Sequence, residues 1–179
     1  MSKKCIEIEL RGTLWQQEYR KLKRYLDKES ESCQNDDKTS YFFVTENKVL
    51  KVVEQGSSWF LVLKKWDETN SVLEELQVTV QNDYISDMLD MLMHLGYTKI
   101  NKVQQKRTNY SYKWAEISLK YTKDWWYHFE IESTTDKIEE ADSIKKKLLI
   151  ICSSLNIIPM TPTQIKEKIL EINAKHGLI

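Results

Sequence analysis

Cys5-Ile6-Glu7-Ile8-Glu9-Leu10-Arg11 alternates apolar and charged residues without a break, the period-2 signature of a β-strand with two unlike faces. Ile6, Ile8 and Leu10 share one face; Glu7, Glu9 and Arg11 share the other. Two readings follow. The charged face could be an ordinary solvated one. Alternatively, two carboxylates about 7 Å apart along the strand could face a shared cavity and hold a hard divalent cation. The rest of the chain has to decide.

Its 179 residues fit a single domain, 1–179, with a well-buried core. Lys+Arg and Asp+Glu are both 27, so no global charge draws the protein onto nucleic acid or an anionic membrane. A charged fraction of 30% beside 41% hydrophobic residues is that of a soluble globular chain rather than a disordered one. Six Trp and nine Tyr favour strands and large, partly apolar surfaces. Cys5, Cys33 and Cys152 are far apart and form no CxxC or Cys/His pair, which argues against a disulfide framework or a zinc site and for a reducing compartment. Met1-Ser2-Lys3-Lys4 runs into the strand with no apolar leader, and no segment has the length of a membrane span. The expected location is the cytoplasm.

Beyond Gly12, Leu14, Tyr19, Leu22, Tyr25 and Leu26 recur at helical spacing over 13–28, with Thr13 as the expected N-cap. Residues 29–40 read as a polar loop. A short strand is expected at 41–45, then a hairpin of 48–54 and 58–66 across Gln55-Gly56-Ser57. Another strand is expected at 71–80, with Leu73, Leu76, Val78 and Val80 as its apolar positions. Asn82-Asp83 starts a second helix, whose apolar stripe of Ile85, Met88, Leu89, Leu92 and Met93 reads as core and which stops at Gly96. Strands are expected at 99–110, 112–120 and 125–133, and a third helix from Thr135-Asp136 through Asn156. Thr161-Pro162 opens a last helix to about Lys175. With four glycines, the chain contains neither GxxxxGK[ST] nor GxGxxG. The pattern is α+β and mostly antiparallel.

Four ordered segments carry a resemblance. Glu7-Ile8-Glu9-Leu10-Arg11 resembles the ExExK signature of the CYTH superfamily, which includes class IV adenylate cyclases, thiamine triphosphatases and inorganic triphosphatases. Trp59 to Lys64 is similar to that family's W-x-L-x-x-K strand. Leu95-Gly96-Tyr97 with Lys106-Arg107-Thr108-Asn109-Tyr110 resembles its LGF…K-x-R-x-x-Y segment, and Phe129-Glu130-Ile131-Glu132 its closing strand. Order and spacing match over residues 5–155, with C-terminal helices over 137–179.

The resemblance implies an antiparallel β-barrel or tunnel of about eight strands, acids and bases inside and helices outside. It implies Glu7, Glu9, Glu130 and Glu132 as carboxylates for Mg²⁺ or Mn²⁺. Arg11, Lys51, Lys64 and Arg107 would be phosphate-binding cations, and Glu7, Glu9 and Arg11 the catalytic group. Carboxylate oxygens suit a hard cation that keeps waters and phosphates in its shell, and Lys and Arg suit phosphate oxygens. Alternation supports the grouping independently: Glu130 and Glu132 lie opposite Phe129 and Ile131, and Lys64 lies opposite Leu61 and Leu63. His128 shares the face of Glu130 and Glu132.

The chain departs from the family pattern at several places. Arg11 stands for a Lys and cannot be tuned toward neutrality. Val53 and Gln105 stand where basic residues are usual. Lys120 stands where the family has an acid; a cation there repels a metal ion but can serve phosphate binding. Trp125-Trp126 replaces a Gly near the last turn.

The expected ligand is a triphosphorylated small molecule such as tripolyphosphate, ATP or thiamine triphosphate. The expected activity is hydrolysis; cyclic AMP formation and binding without turnover are the alternatives. No nucleic-acid or membrane partner is expected, and a homodimer is one assembly the sequence allows.

Overall fold

The computed structural model describes residues 6–45, 48–66 and 72–178. Residues 1–5, including the expected thiol of Cys5, and Ser71 lie outside the described residues, as does the side chain of Leu73. Strand β1 (Ile6–Thr13) enters helix α1 (Gln16–Glu29). Thr13 is not the N-cap: it ends β1, paired with His128. Trp15 takes the cap position, and its backbone N–H donates to the Glu18 carboxylate at 2.7 Å.

Residues 29–40 are not a loop. They hold β2 (Ser32–Asn35) and the start of β3 (Lys38–Phe43). β2 is exposed along its whole length, so backbone pairing rather than burial makes it a strand, and hydrophobic patterning carries no sign of it. The expected hairpin is present as β4 (Lys48–Gln55) and β5 (Ser58–Trp66), with Gly56 at φ +59° in the turn. β6 (Val72–Val80) follows, then a 3₁₀ turn at 82–84 and α2 (Ile85–His94). Past α2, Gly96 adopts φ +92° and Tyr97 N–H donates to the Leu92 carbonyl at 3.0 Å, a left-handed helix stop.

The meander β7 (Ile100–Tyr112), β8 (Ala115–Thr122) and β9 (Trp126–Thr135) leads to α3 (Ala141–Ser154) and α4 (Pro162–Lys175). The turn between β7 and β8 falls at Lys113, in the left-handed region at φ +58°, two residues later than expected. α3 begins at Ala141 rather than Thr135, since β9 runs through Thr135 and a 3₁₀ turn intervenes. α4 starts as expected, with Gln164 N–H donating to the Thr161 hydroxyl at 3.3 Å and Pro162 at N1.

Every pairing is antiparallel, and the pairings run in a circuit: β7–β3–β4–β5–β6–β1–β9–β8 and back to β7. β2 extends the edge of β7 beyond β3, because β3 pairs with residues 100–105 of β7 and β2 with residues 108–111. The seam is β1–β6, with three registered pairs (Ile6↔Glu74, Glu7↔Leu73, Ile8↔Val72) among the described residues. On its other edge β1 pairs with β9 from Ile6 through Thr13.

The apolar core lies outside this curled sheet. α1 and α3 cover the outer face of β1 and β7–β9, packing Leu22, Leu26, Leu148 and Ile151 on Ile8, Leu10, Ile117, Leu119, Phe129 and Ile131. α2 covers a second cluster, with Met88 and Leu92 on Phe43, Leu50 and Val52. Gly12 is where the segment after α3 crosses β1. A Cβ there would lie 2.6 Å from both the Ile158 carbonyl and the Phe129 ring, and Met160 N–H donates to the Arg11 carbonyl at 2.8 Å.

Candidate active site

With the apolar alternates turned outward, the other alternates of eight strands line a cavity of about 400 Å³, within the range of roughly 300–1,000 Å³ usual for small-molecule sites. Glu7, Glu9, Arg11, Lys51, Lys64, Arg107, Lys120, Glu130 and Glu132, all singled out in the sequence, line it. Ile169, Ile172 and Asn173 of α4 also line it. Asp124, in the β8–β9 turn, bonds Lys175 at 2.8 Å and His176 at 3.0 Å and so pins that helix.

Three of the four expected metal carboxylates converge. Glu7, Glu9 and Glu132 each offer an oxygen within 4.8 Å of the others, because Glu9 and Glu132 are cross-strand partners and Glu7 is the next inward residue. Glu130 does not join them: it is ion-paired to Lys120 and lies 3.7 Å from Arg11. Three hard oxygen donors on rigid strands fit Mg²⁺ or Mn²⁺, either of which keeps open coordination positions for water and phosphate.

Cations hold these acids in place. Lys64 lies 2.8 Å from both Glu7 and Glu75, and Arg11 donates from Nε to Glu9 at 2.6 Å. Burial raises Glu7 to about 7, and the neighbouring Glu132 and Glu9 add to this against Lys64. Burial also pushes on Glu9, but Arg11, Lys64 and Lys120 outweigh it and hold that carboxyl well below the usual range. For Lys64, burial is outweighed by Glu9, Glu7 and Glu75, which raise its pKa above the ordinary value. Arg107 is fixed by Glu116 at 3.2 Å, Asp36 at 3.8 Å and the Asn109 side chain.

Lys38 and Lys51 differ from Arg11, Lys64, Arg107 and Lys120. Among the described residues neither makes an ion pair with a carboxylate. The Lys51 ammonium sits 5.7 Å from the Phe42 ring centre. Burial, with Lys64 and Lys38 nearby, pulls Lys51 down to about 7. Burial and Arg107 pull Lys38 down to about 8. Two lysines held in one cavity without a direct ion-pair partner are poised to take an anion.

Lys38, Lys48, Glu75 and Asp124 are charged lining residues that sequence reasoning missed. The alternation Lys38, Ser40, Phe42 against Thr39, Tyr41, Phe43 was available to find Lys38. Glu75 was masked by an expectation that read β6 by its apolar residues. Leu76 and Val78 are in fact 46% and 61% exposed, and Glu75 and Gln77 point inward.

His128 lines the cavity and donates from Nδ1 to the Trp126 carbonyl at 3.0 Å. Burial, then Lys120, lowers it to about 3, so it stays neutral in the physiological range. Trp125 packs its ring 5.6 Å from His128. Trp126 takes the left-handed conformation at φ +60°, within the Trp125-Trp126 pair that stands in place of a Gly in the family pattern.

Comparison with known proteins agrees with this architecture. The family model for the CYTH domain matches residues 5–164. PH1012 of Pyrococcus horikoshii OT3 superposes with a TM-score of 0.67 at 18% identity, covering 85% of this chain and 91% of that one. A structure described as a proposed adenylate cyclase of Vibrio parahaemolyticus gives 0.64 at 13% identity, covering 84% and 88%. HpAC1 of Hippeastrum, a proposed adenylyl cyclase described as having a dominant triphosphatase activity, gives 0.58 at 14% identity, covering 88% and 90%. At such identities these likenesses establish the fold. No curated protein matches the chain. Among the described residues, no helix is long and apolar enough to cross a membrane.

Proposed function

The chain belongs to the CYTH domain family, and from that premise we propose that it is a divalent-metal-dependent hydrolase of a triphosphorylated small molecule. The observation that carries this reading is one cavity holding both the Glu7, Glu9, Glu132 triad and two cations, Lys38 and Lys51, that make no ion pair among the described residues. A polyanion and a hard cation are complementary to those two groups. The triphosphatase activity described for HpAC1 points the same way.

Glu7, Glu9 and Glu132 would hold Mg²⁺ or Mn²⁺. The ion, when bound, supplies positive charge for phosphate oxygens and makes a water more acidic. The chain's own residues do the rest. Lys38 and Lys51 bind phosphate oxygens and take up protons as the anion arrives, since its charge raises their pKa values again. Arg107, braced from several sides, presents a guanidinium that need not reorganise. Lys64 keeps Glu7 oriented, and Arg11 does the same for Glu9. The outer helices and the sheet exclude bulk water, which strengthens each of these contacts.

One observation favours a second reading, binding without turnover: the buried ion pair between Lys120 and Glu130 fills a place that the family pattern gives to an acid. Turnover separates the two. Tripolyphosphate, ATP and thiamine triphosphate are incubated with Mg²⁺, Mn²⁺ or EDTA, and phosphate, pyrophosphate and cyclic AMP are resolved. Phosphate release that stops in EDTA is expected. Cyclic AMP with pyrophosphate would make the protein a cyclase, and metal-dependent binding without products would make it a binder.

A further inference from the structure

The two ends of the inner β1–β9 wall differ in what neutralises them. Glu7, Glu9 and Glu132 converge, with oxygens within 4.8 Å of one another. Glu130, one inward step along β9, is turned to the Lys120 ammonium, with the Arg11 guanidinium 3.7 Å away. The side chain of Lys120 is 4% exposed and that of Glu130 is 14% exposed, so this pair belongs to the cavity wall. Register explains the meeting. Glu130 pairs with Arg11 on one edge of β9 and with Ser118 on the other, and Lys120 is the next inward residue of β8.

Sites that move phosphoryl groups often use two cations about 3.5–4 Å apart, each held by carboxylates. A second ion beside the Glu7, Glu9, Glu132 triad would need the Glu130 oxygens. Here they face an ammonium and a guanidinium, both fixed to strands. Building on the proposed metal site, we infer that the cavity takes one divalent cation per chain, at Glu7, Glu9 and Glu132, and that Lys120 supplies the second positive charge as part of the polypeptide. Lys120 is also the cross-strand partner of Arg107 and lines the same cavity as Lys38, which puts its side chain beside the residues assigned to phosphate binding. An activity built this way would depend on metal concentration with a single saturating step.

The test counts Mn²⁺ ions by electron paramagnetic resonance, on the full chain alone and with β,γ-methylene ATP. One bound ion per chain with an uncoupled six-line signal is expected. Lys120→Asp, which returns an acid beside Glu130, is expected to raise the count to two and to give the exchange-coupled signal of neighbouring ions. Two coupled ions in the unaltered chain would overturn the inference while leaving the metal reading intact. No bound ion, or binding unchanged in Glu7→Gln with Glu9→Gln, would overturn the metal reading and the inference with it. If Lys120→Asp does not fold, the count on the unaltered chain still decides.

Discussion

Single side chains in this protein act through what they lack as much as through what they touch. Lys38 faces Gln105 across the β3–β7 pair, where the family pattern has a basic residue on β7, so in this chain the ammonium at that place comes from β3. Lys38→Met is therefore expected to raise the KM for tripolyphosphate roughly ten- to a hundredfold, the loss of one charge-assisted contact of about 1.5–3 kcal/mol. Gln105→Lys in that background is expected to recover most of it. Unaltered KM in Lys38→Met would remove Lys38 from the binding set. Glu7→Gln with Glu9→Gln should leave the circular dichroism spectrum close to the parent while metal-dependent turnover disappears, since two anionic ligands go with little change in volume, and the melting temperature should fall because Lys64 and Arg11 lose buried partners; surviving turnover would place the metal elsewhere. At this scale the sequence was legible wherever a strand alternated cleanly. Glu7, Glu9, Lys64, Glu130 and Glu132 all line the cavity, because a period of two leaves no third choice of face. Which inward carboxylates converge was not legible, since that depends on cross-strand register: Glu9 opposes Glu132, whereas Glu130 opposes Arg11.

Elements were read well where local signals and burial agreed. The β4–β5 hairpin around Gly56, the glycine stop after α2 and the Thr161-Pro162 start of α4 needed no tertiary information. β2 and β6 were harder for opposite reasons. β2 is polar on both faces and held by pairing with β7. β6 turns Glu75 and Gln77 in and Leu76 and Val78 out, inverting the usual meaning of the pattern. Packing between elements is tightest at Gly12. Gly12→Ala would drive a methyl into the Phe129 ring and the Ile158 carbonyl, and a backbone carbonyl has little room to yield. A loss of about 1–3 kcal/mol is expected by denaturant unfolding; a neutral result would mean that the segment after α3 can lift off β1.

For the molecule as a whole, the sheet has exchanged its faces. Its outer surface is the hydrophobic core and its inner surface is a neutralised electrolyte, which is how equal numbers of acids and bases coexist with a strongly charged interior. Closure was only partly legible: alternation indicates two-faced strands, but the pairings of β3 with β7 and of β1 with β6 and β9 are non-local. The buried lysines set a pH dependence. Lys51 has a folded pKa of about 7 against 10.5 unfolded, so between those values the unfolded chain binds more protons and this group's contribution to stability rises with pH. Tripolyphosphate in EDTA favours the protonated form, so the rise in Tm it causes should shrink as pH goes from 6.5 to 8.5. Lys51→Met should flatten that trend; an unchanged trend would assign it to another group.

The polar lining has a calorimetric consequence. Hydrating apolar surface on unfolding raises the heat capacity, and hydrating polar surface lowers it. A barrel that opens to expose acids and bases along with its helix-covered exterior should therefore unfold with a heat-capacity increment below the usual value of about 12–15 cal/mol/K per residue. Its stability curve should be flatter than that of an apolar-cored domain of equal length, and its folded population correspondingly less sensitive to cold.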